Sequence, residues 1–411
     1  MSINEIFKQI LKKIKPLPQE KKLAFKKINF FIEKLKKEIK KMRIKAQAIL
    51  GGSFAKGTWL KKDADVDIFV AFDLVYKKQN LSALLEKILK KFKYRKLHGS
   101  RDYFQIKFAG FNFEIVPILK IKSLKQAENV TDFSPWHVAW VNKYGKKFKD
   151  DILLAKTFLK ALGVYGAESY IGGFSGHVAD ILVIYYKGFE NLLKAAAKWK
   201  PKLVIDYSKK LGKKALKILN QAKIQGPLIV LDPIQPLRNA SASVTAKAFE
   251  TFSKAAKEFL KNPSINFFIK KKVDLEALKS KGRLLVIDFE NLKDSEAVVG
   301  AKILKAFEFL KTYLKEFEII DSGFEWDKVR KGFFWFLFKK NKIPEELILR
   351  GPPVKFEEQV KNFKSVHKKT FEKEGRIWAL ERREKTNLIY LVKEAIENDY
   401  IKRRLKKVKI R

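Results

Sequence analysis

The chain contains no cysteine in 411 residues. A disulfide framework and any cysteine-ligated zinc or iron–sulfur site are therefore excluded, and the reducing interior of a cell is the natural compartment. Long apolar runs are missing as well: no stretch reaches the roughly 18 uninterrupted apolar residues that a membrane span needs. The opening Met-Ser-Ile-Asn-Glu-Ile-Phe-Lys-Gln-Ile reads as a charged amphipathic helix, without the apolar centre or cleavage pattern of a secretion signal. A cytoplasmic protein with no membrane partner is expected. Internal repeats and low-complexity linkers are also absent, so domains have to be read from changes of pattern, and this length suffices for two to four of them.

Acidic residues are in short supply, 45 against 89 lysines and arginines, which leaves a formal net charge of +44. A folded chain so charged repels itself unless a polyanion is near, and nucleic acid is the obvious candidate. Part of the lysine excess is open to a bland reading as composition bias, since lysine runs usually form solvated faces. The charge favours an RNA or DNA substrate over a small neutral one without proving it.

What is present is most informative between Gly51 and Val70. A Gly-Gly-Ser turn, Gly51-Gly52-Ser53, is followed after a short spacer by Asp65-Val66-Asp67 in a β-branched run. On a strand, side chains alternate between faces, so Asp65 and Asp67 point one way while Val66, Ile68 and Val70 point into a core. Paired carboxylates repel and are best tolerated around a hard cation such as Mg²⁺. Glu114, in Phe113-Glu114-Ile115-Val116-Pro117, lies on a strand that can neighbour the first. Three acids on adjacent strands suit two metal ions, one activating a hydroxyl and one holding a triphosphate, which is nucleotidyl transfer. Glu114 can equally be an ordinary acid on the solvent face of the sheet. Ser53 stands where a strand gives way to a short helix, so its hydroxyl and nearby backbone N–H groups can face phosphate oxygens, with Lys56 one turn later. A bare Gly-Gly-Ser usually means a tight turn capping a helix; the acid pair behind it gives it weight.

Residues 2 to about 42 read as helical, split by Pro16 and Pro18, with Leu23, Phe25, Ile28, Phe31, Ile32 and Leu35 near helical spacing. Strands are expected at Ala46 to Leu50, Val66 to Phe72, Tyr103 to Phe108 and Phe111 to Leu119, with a helix near Leu81 to Phe92. Helices follow at Asp151 to Leu162 and from Gly176 to Trp199, then a short strand, Leu228 to Leu231, and a helix leading to Leu260. Beyond Pro263 the pattern becomes strand at Leu284 to Phe289, helix at Glu296 to Tyr313, and strands at Phe317 to Ile320 and Phe333 to Phe338. Such a βαββ unit can offer a face to RNA. The basic Arg403-Arg404-Leu405-Lys406-Lys407 is expected to be a phosphate contact or a disordered end rather than a targeting signal.

The motifs together resemble the nucleotidyltransferase superfamily, and within it the class I, archaeal-type CCA-adding enzymes. The resemblance runs through Gly52-Ser53-Phe54-Ala55-Lys56-Gly57-Thr58-Trp59-Leu60, Asp65-Val66-Asp67, Glu114-Ile115-Val116-Pro117, Asp132-Phe133-Ser134-Pro135-Trp136-His137, Gly163-Val164-Tyr165-Gly166-Ala167-Glu168, Gly173-Phe174-Ser175-Gly176 and Asp232-Pro233 through Arg238-Asn239. Gly351-Pro352-Pro353 and Gly375-Arg376-Ile377-Trp378 extend it less specifically. The resemblance implies Asp65, Asp67 and Glu114 as catalytic metal ligands for Mg²⁺. It implies Ser53 and Lys56 on the triphosphate, His137, Lys156 and Tyr165 on the incoming ATP or CTP, and Arg238 on the base edge and tRNA backbone. Read without the resemblance, Lys156 can be a solvated helix residue, His137 a hydrogen-bonded core residue, Tyr165 a packing residue and Arg238 a cap on local carbonyls.

The implied architecture is α+β and multidomain: an N-terminal nucleotidyltransferase α/β sheet domain (1–145), a mainly helical central domain (146–262) and a C-terminal α+β, RNA-binding part (263–411). The implied activity is template-independent addition of CCA to tRNA from CTP and ATP; a poly(A) polymerase-like transferase is the alternative, and an inactive RNA-binding derivative a more distant one. A homodimer is compatible with the sequence. Two departures from the family pattern stand out. Glu114 occupies a position where aspartate is common, moving the carboxylate roughly 1.5 Å, and Gly172 stands where a basic residue is often found.

Overall fold

A computed structural model describes residues 1–61 and 65–411; the spacer residues 62–64 of the Gly-Ser to Asp-x-Asp segment lie outside the described residues. The chain divides into two compact units, Met1–Lys271 and Lys272–Arg411.

In the first unit, Ser2 caps helix α1 (Ile3–Ile14) through a box closed by Glu5. Pro18 opens α2 (Pro18–Lys41), where its missing N–H is harmless. The buried stripe of α2 is Ala24, Ile28, Phe31, Ile32, Leu35 and Ile39; Leu23, expected on it, is 54% exposed. Strand β1 (Ala46–Leu50) leads into the short helix α3 (Gly52–Lys56), then β2 (Val66–Phe72), α4 (Leu81–Ile88), β3 (Tyr94–Leu97), β4 (Tyr103–Phe108) and β5 (Phe111–Leu119). The sheet order is β1-β2-β5-β4-β3. Only the β2–β5 pair is parallel; the other neighbours run antiparallel. Val66, Ile68 and Val70 are fully buried, as alternation requires, and pack with the α2 stripe, Phe104, Phe113 and Ile115.

The rest of this unit is chiefly helical: α5 (Ser134–Tyr144), α6 (Lys149–Ala161), α7 (Gly176–Tyr185), α8 (Phe189–Ala196), β6 (Leu203–Ile205), α9 (Ala215–Ile218), β7 (Leu228–Val230) and α10 (Ala246–Lys261). Its core gathers Phe158, Phe174, Phe189, Phe252 and Phe259, all fully buried. The single helix expected from Gly176 to Trp199 is two helices, because Lys187 and Gly188 take φ of 57° and 128°, backbone values that end an α-helix.

The second unit holds α11 (Leu275–Lys279), β8 (Arg283–Asn291), α12 (Glu296–Tyr313), β9 (Ile319–Trp326), β10 (Lys331–Phe338), β11 (Glu346–Pro353), α13 (Glu357–Val366), β12 (Thr370–Lys373), β13 (Arg376–Arg382), α14 (Leu388–Glu397), α15 (Asp399–Lys402) and β14 (Leu405–Ile410). It forms a sheet in the order β14-β8-β10-β9 and a second in the order β11-β13-β12. Ile303, Phe307 and Leu310 of α12 and Val392 of α14 pack with Ile287, Phe289, Phe334, Phe336 and Phe338 from the larger sheet. Two expectations are corrected here. The strand placed at Phe317 to Ile320 starts only at Ile319, since Phe317 closes a 3-10 turn and Glu318 is left-handed at φ 56°. The basic C-terminal segment is no disordered end: from Leu405 it is a strand paired with β8. Among the described residues no helix is long and apolar enough to cross a membrane.

Candidate active site

The parallel β2–β5 register sets Asp67 opposite Glu114, so both side chains leave the same face of the sheet. On the other side of β5, Gln105 of β4 is in register with Glu114 and donates from Nε2 to its Oε1 at 2.8 Å. Glu114 is thus half-buried between two strands rather than an isolated surface acid. Asp65, exposed just before β2, accepts at Oδ1 from Asn112 Nδ2 at 3.0 Å. Burial pushes the Asp67 carboxyl up to about 7, and the charges of Glu114 and Asp65 push the same way while Lys56 opposes them. Carboxylates so gathered are short of positive charge, which is the condition under which an oxygen-ligated divalent cation fits.

The glycines before Ser53 have a steric cause. Gly52 has φ +54°, and a Cβ there would sit 1.6 Å from Asp67 Oδ2; the turn can wrap the acid only without a side chain. Ser53, half-buried, follows inside α3. Lys56 ends α3 and is buried. Its Nζ donates to Asp180 Oδ2 of α7 at 2.7 Å.

Lys156 of α6 reaches the same carboxylate. It is 4% exposed, which rules out the solvated-face reading. Its Nζ donates to Thr58 Oγ1 at 3.1 Å and stands 3.4 Å from Asp180 Oδ1. Burial drives the Lys156 ammonium below its usual range, partly countered by Asp180. For Asp180, burial alone raises the carboxyl, but Lys156 and Lys56 outweigh it and hold it below the ordinary value. Two lysines thus share one buried acid, leaving local positive charge.

A second carboxylate organises the other named residues. Asp232, 1% exposed, accepts from His137 Nε2 at 3.0 Å, from the backbone N–H of Ile234 and Gln235 at 2.9 and 3.2 Å, and from Arg238 Nη1 at 2.8 Å. Burial works against its charge, yet the groups around it, with the His137 hydrogen bond first among them, keep its carboxyl far below the normal range. Arg238 therefore meets a carboxylate rather than local carbonyls, and His137 is a buried, oriented imidazole. His177, on the first turn of α7, lies against His137 with ring centroids 4.2 Å apart and the planes tilted by 45°. His137, His177 and Asp232 have ligand atoms within 4.8 Å of one another. Three N–H donors crowd Asp232 Oδ1 and the Arg238 guanidinium sits on Oδ2, and a carboxylate already paired with a cation repels a second one beside it, so this trio is a poor cation cage.

Tyr165 joins the same region through a bridge to Phe174, just before α7. A Cβ on Gly176 would meet Tyr165 Oη at 2.8 Å and Lys156 Cε at 4.0 Å, so the glycine at the head of α7 lets the tyrosine and lysine converge. Lys160 lies over the Tyr165 ring at 5.0 Å. The fold therefore brings two sets together: Asp65, Asp67 and Glu114 around β2 and β5, and Lys56, His137, Lys156, Tyr165 and Arg238 around α7 and the 232–238 loop.

Asp180, Asp232 and His177 were not singled out as site residues by sequence. Asp180 did carry a signal: it is the lone acid in the apolar run Val178-Ala179-Asp180-Ile181-Leu182-Val183-Ile184, and a carboxylate buried in a helix needs cations from elsewhere.

Residues 32–137 match the model of a nucleotidyltransferase domain, and residues 150–269 that of the second domain of tRNA nucleotidyltransferase. The CCA-adding enzyme of Nanoarchaeum equitans is 40% identical over 338 residues, covering 80% of this chain and 82% of that protein. That of Saccharolobus solfataricus is 35% identical over 77% of this chain and 74% of its own length. That of Sulfurisphaera tokodaii is 30% identical over 97% and 92%. Among solved structures, a cytoplasmic RNA terminal U-transferase superposes with a TM-score of 0.51 at 14% identity, covering 66% of this chain and 99% of that one. The Cid1 poly(U) polymerase does so with a TM-score of 0.51 at 15% identity, over 65% and 98%. These two establish a shared fold.

Proposed function

The chain belongs to the CCA-adding enzyme family, a membership that implies use of a divalent metal, and we propose that it completes the 3′ end of tRNA by adding C, C and A from CTP and ATP without a nucleic-acid template, releasing pyrophosphate. The observation that carries this reading is the register of Asp67 with Glu114, beside Asp65 and directly under the Gly52-Ser53 turn.

In this reading Asp65, Asp67 and Glu114 hold Mg²⁺, which supplies charge neutralisation for the triphosphate and a lowered pKa for the attacking 3′-hydroxyl. Gln105 holds one oxygen of Glu114 and so sets the orientation of the longer acid. Ser53 and the backbone of the turn face the phosphates. Lys56 and Lys156 exchange part of their attraction to Asp180 for the incoming anion, neutralising the charge that grows on the leaving pyrophosphate. His137 donates a hydrogen bond from Nε2 to Asp232, which leaves Nδ1 as the acceptor it offers to the nucleotide. Tyr165 backs the nucleotide, and Arg238, steadied by Asp232, presents its remaining guanidinium N–H groups to the base edge. The surplus of basic residues supports tRNA as the polyanionic partner, and with that substrate the reading places the enzyme in the cytoplasm.

The test is a length assay with tRNA that lacks CCA and Mg²⁺ throughout. CTP alone should add two nucleotides, and CTP with ATP should add three and then stop. Open-ended growth with ATP alone would instead identify a poly(A) polymerase-like activity and overturn the proposal.

A further inference from the structure

We propose that His177 is a further contact residue of the nucleotide site, its imidazole hydrogen-bonding to a phosphate oxygen of the incoming nucleoside triphosphate. This rests on the reading of Lys56, His137 and Lys156 as neighbours of that triphosphate.

His177 keeps only 17% of its side-chain surface, yet neither Nδ1 nor Nε2 has a hydrogen-bond partner among the described residues. A neutral imidazole carries one donor and one acceptor, and a buried donor left unpaired is costly. The nearest acceptor is a poor partner for it: Asp232 Oδ2 stands 3.5 Å from His177 Nε2 and already takes the shorter, charge-assisted bond of Arg238 Nη1 at 2.8 Å, while Oδ1 receives His137 and two backbone N–H groups. An apolar side chain of similar volume would pack against the His137 ring, 4.2 Å away, without stranding any polar atom. The orphaned nitrogens are therefore accounted for by a partner that arrives.

The surroundings specify its charge. Lys56 faces His177 with positive charge and His137 with its imidazole ring, while Asp232 and Asp180 face it with negative charge. Both carboxylates are already engaged, Asp180 with Lys56 and Lys156 and Asp232 with His137 and Arg238. An anion is the ligand that this set of cations and N–H donors can accept. Burial, with the nearby Lys56 charge, lowers the His177 imidazole to about 4, so it is neutral in the free protein; a phosphate beside it favours the protonated form. Nucleotide binding should then draw a proton onto this ring.

The experiment is calorimetric titration of the full chain with CTP and with ATP, with Mg²⁺ and without tRNA, at pH 6 in two buffers of different ionisation enthalpy. Asp67 gives up its proton to Mg²⁺ in wild type and variants alike, so the protons taken up by His177 appear as the difference between wild type and variant in the net balance. His177→Asn, which cannot be protonated, should lose part of that uptake and bind both nucleotides about tenfold more weakly. His177→Phe, which packs but donates nothing, should bind more weakly still while melting no lower than wild type. Wild-type affinity and proton uptake in both variants overturn the inference. The binding measurement needs no tRNA: a wild type that binds CTP and ATP but adds no CCA defeats the functional reading and leaves His177 to be judged by its own result.

Discussion

Lys56 Nζ lies 2.7 Å from Asp180 Oδ2, although the two residues are 124 positions apart. The carboxylate has no exposed side-chain surface, and it ties the turn that carries Ser53 to the helix that carries His177. With Lys156 on its other oxygen, one acid balances two ammonium groups, and a triphosphate is the kind of ligand that completes the balance.

Asp180→Asn should therefore lower the melting temperature sharply. Removing one partner of a buried ion cluster leaves charge unpaired, at a cost of about 3–5 kcal/mol. Inorganic triphosphate should raise the melting temperature of the variant more than that of wild type, because the two lysines no longer have a competing carboxylate. Equal ligand-induced shifts in a thermal denaturation series would contradict this role.

Asp67 makes a pH-dependent prediction. Its carboxyl is pushed up to about 7 in the fold against an ordinary value of 3.8. Between those values the native state binds more protons than the unfolded chain, so this group's contribution to stability falls as pH rises and is fully unfavourable above about 7. With EDTA at pH 8, Asp67→Asn should be more stable than wild type by on the order of 2 kcal/mol, a gap that closes as pH approaches 4. Mg²⁺ should stabilise wild type and leave the variant unmoved. A wild type that outlasts the variant in EDTA at pH 8 would refute the upward shift of this carboxyl.

The strands that carry the acids were legible in sequence because alternation is local: Val66, Ile68 and Val70 announce a buried face within five residues, and the same pattern marks Phe111 to Leu119. The helix at Glu296–Tyr313 was equally plain, its apolar positions recurring over 18 residues. Strand Tyr94–Leu97 was not, since it offers four residues of which Arg95 and Lys96 are exposed; its identity comes from pairing with β4. The acids that organise the site were hidden for a similar reason. Asp180 and Asp232 draw their meaning from Lys56 and His137, 124 and 95 residues away, and no local pattern encodes such partners.

Glu114 tests whether the longer third acid is tuned to its place. Gln105 holds Oε1 at 2.8 Å, so the extra methylene is paired with a dedicated donor on the adjacent strand. Glu114→Gln, which removes the charge, should cut CMP incorporation into tRNA lacking CCA by about 100-fold or more. Glu114→Asp draws the carboxylate back from Gln105 and should lose roughly tenfold, with the loss partly restored by raising the Mg²⁺ concentration. Full activity in Glu114→Gln would remove this residue from the metal set.

Asp232→Asn separates orientation from chemistry. The amide keeps one acceptor oxygen but turns an N–H₂ group toward donors, His137 Nε2 or Arg238 Nη1, so at least one of them loses its partner. The imidazole is then free to change tautomer and the guanidinium to swing, while Asp65, Asp67 and Glu114 keep their places on the sheet. KM for CTP and ATP should rise about tenfold, with a smaller change in kcat and none in KM for tRNA. Stability should also respond to pH with a definite sign. The Asp232 carboxyl is held far below its ordinary value of 3.8 in the fold, so its contribution is complete above that pH and is lost as the solution becomes more acid. The stability gap between wild type and variant should accordingly be constant from pH 8 to about 5 and shrink below about 4. A gap that widens on acidification, measured by urea denaturation across that range, would show that Asp232 is not the ionised hub of His137 and Arg238.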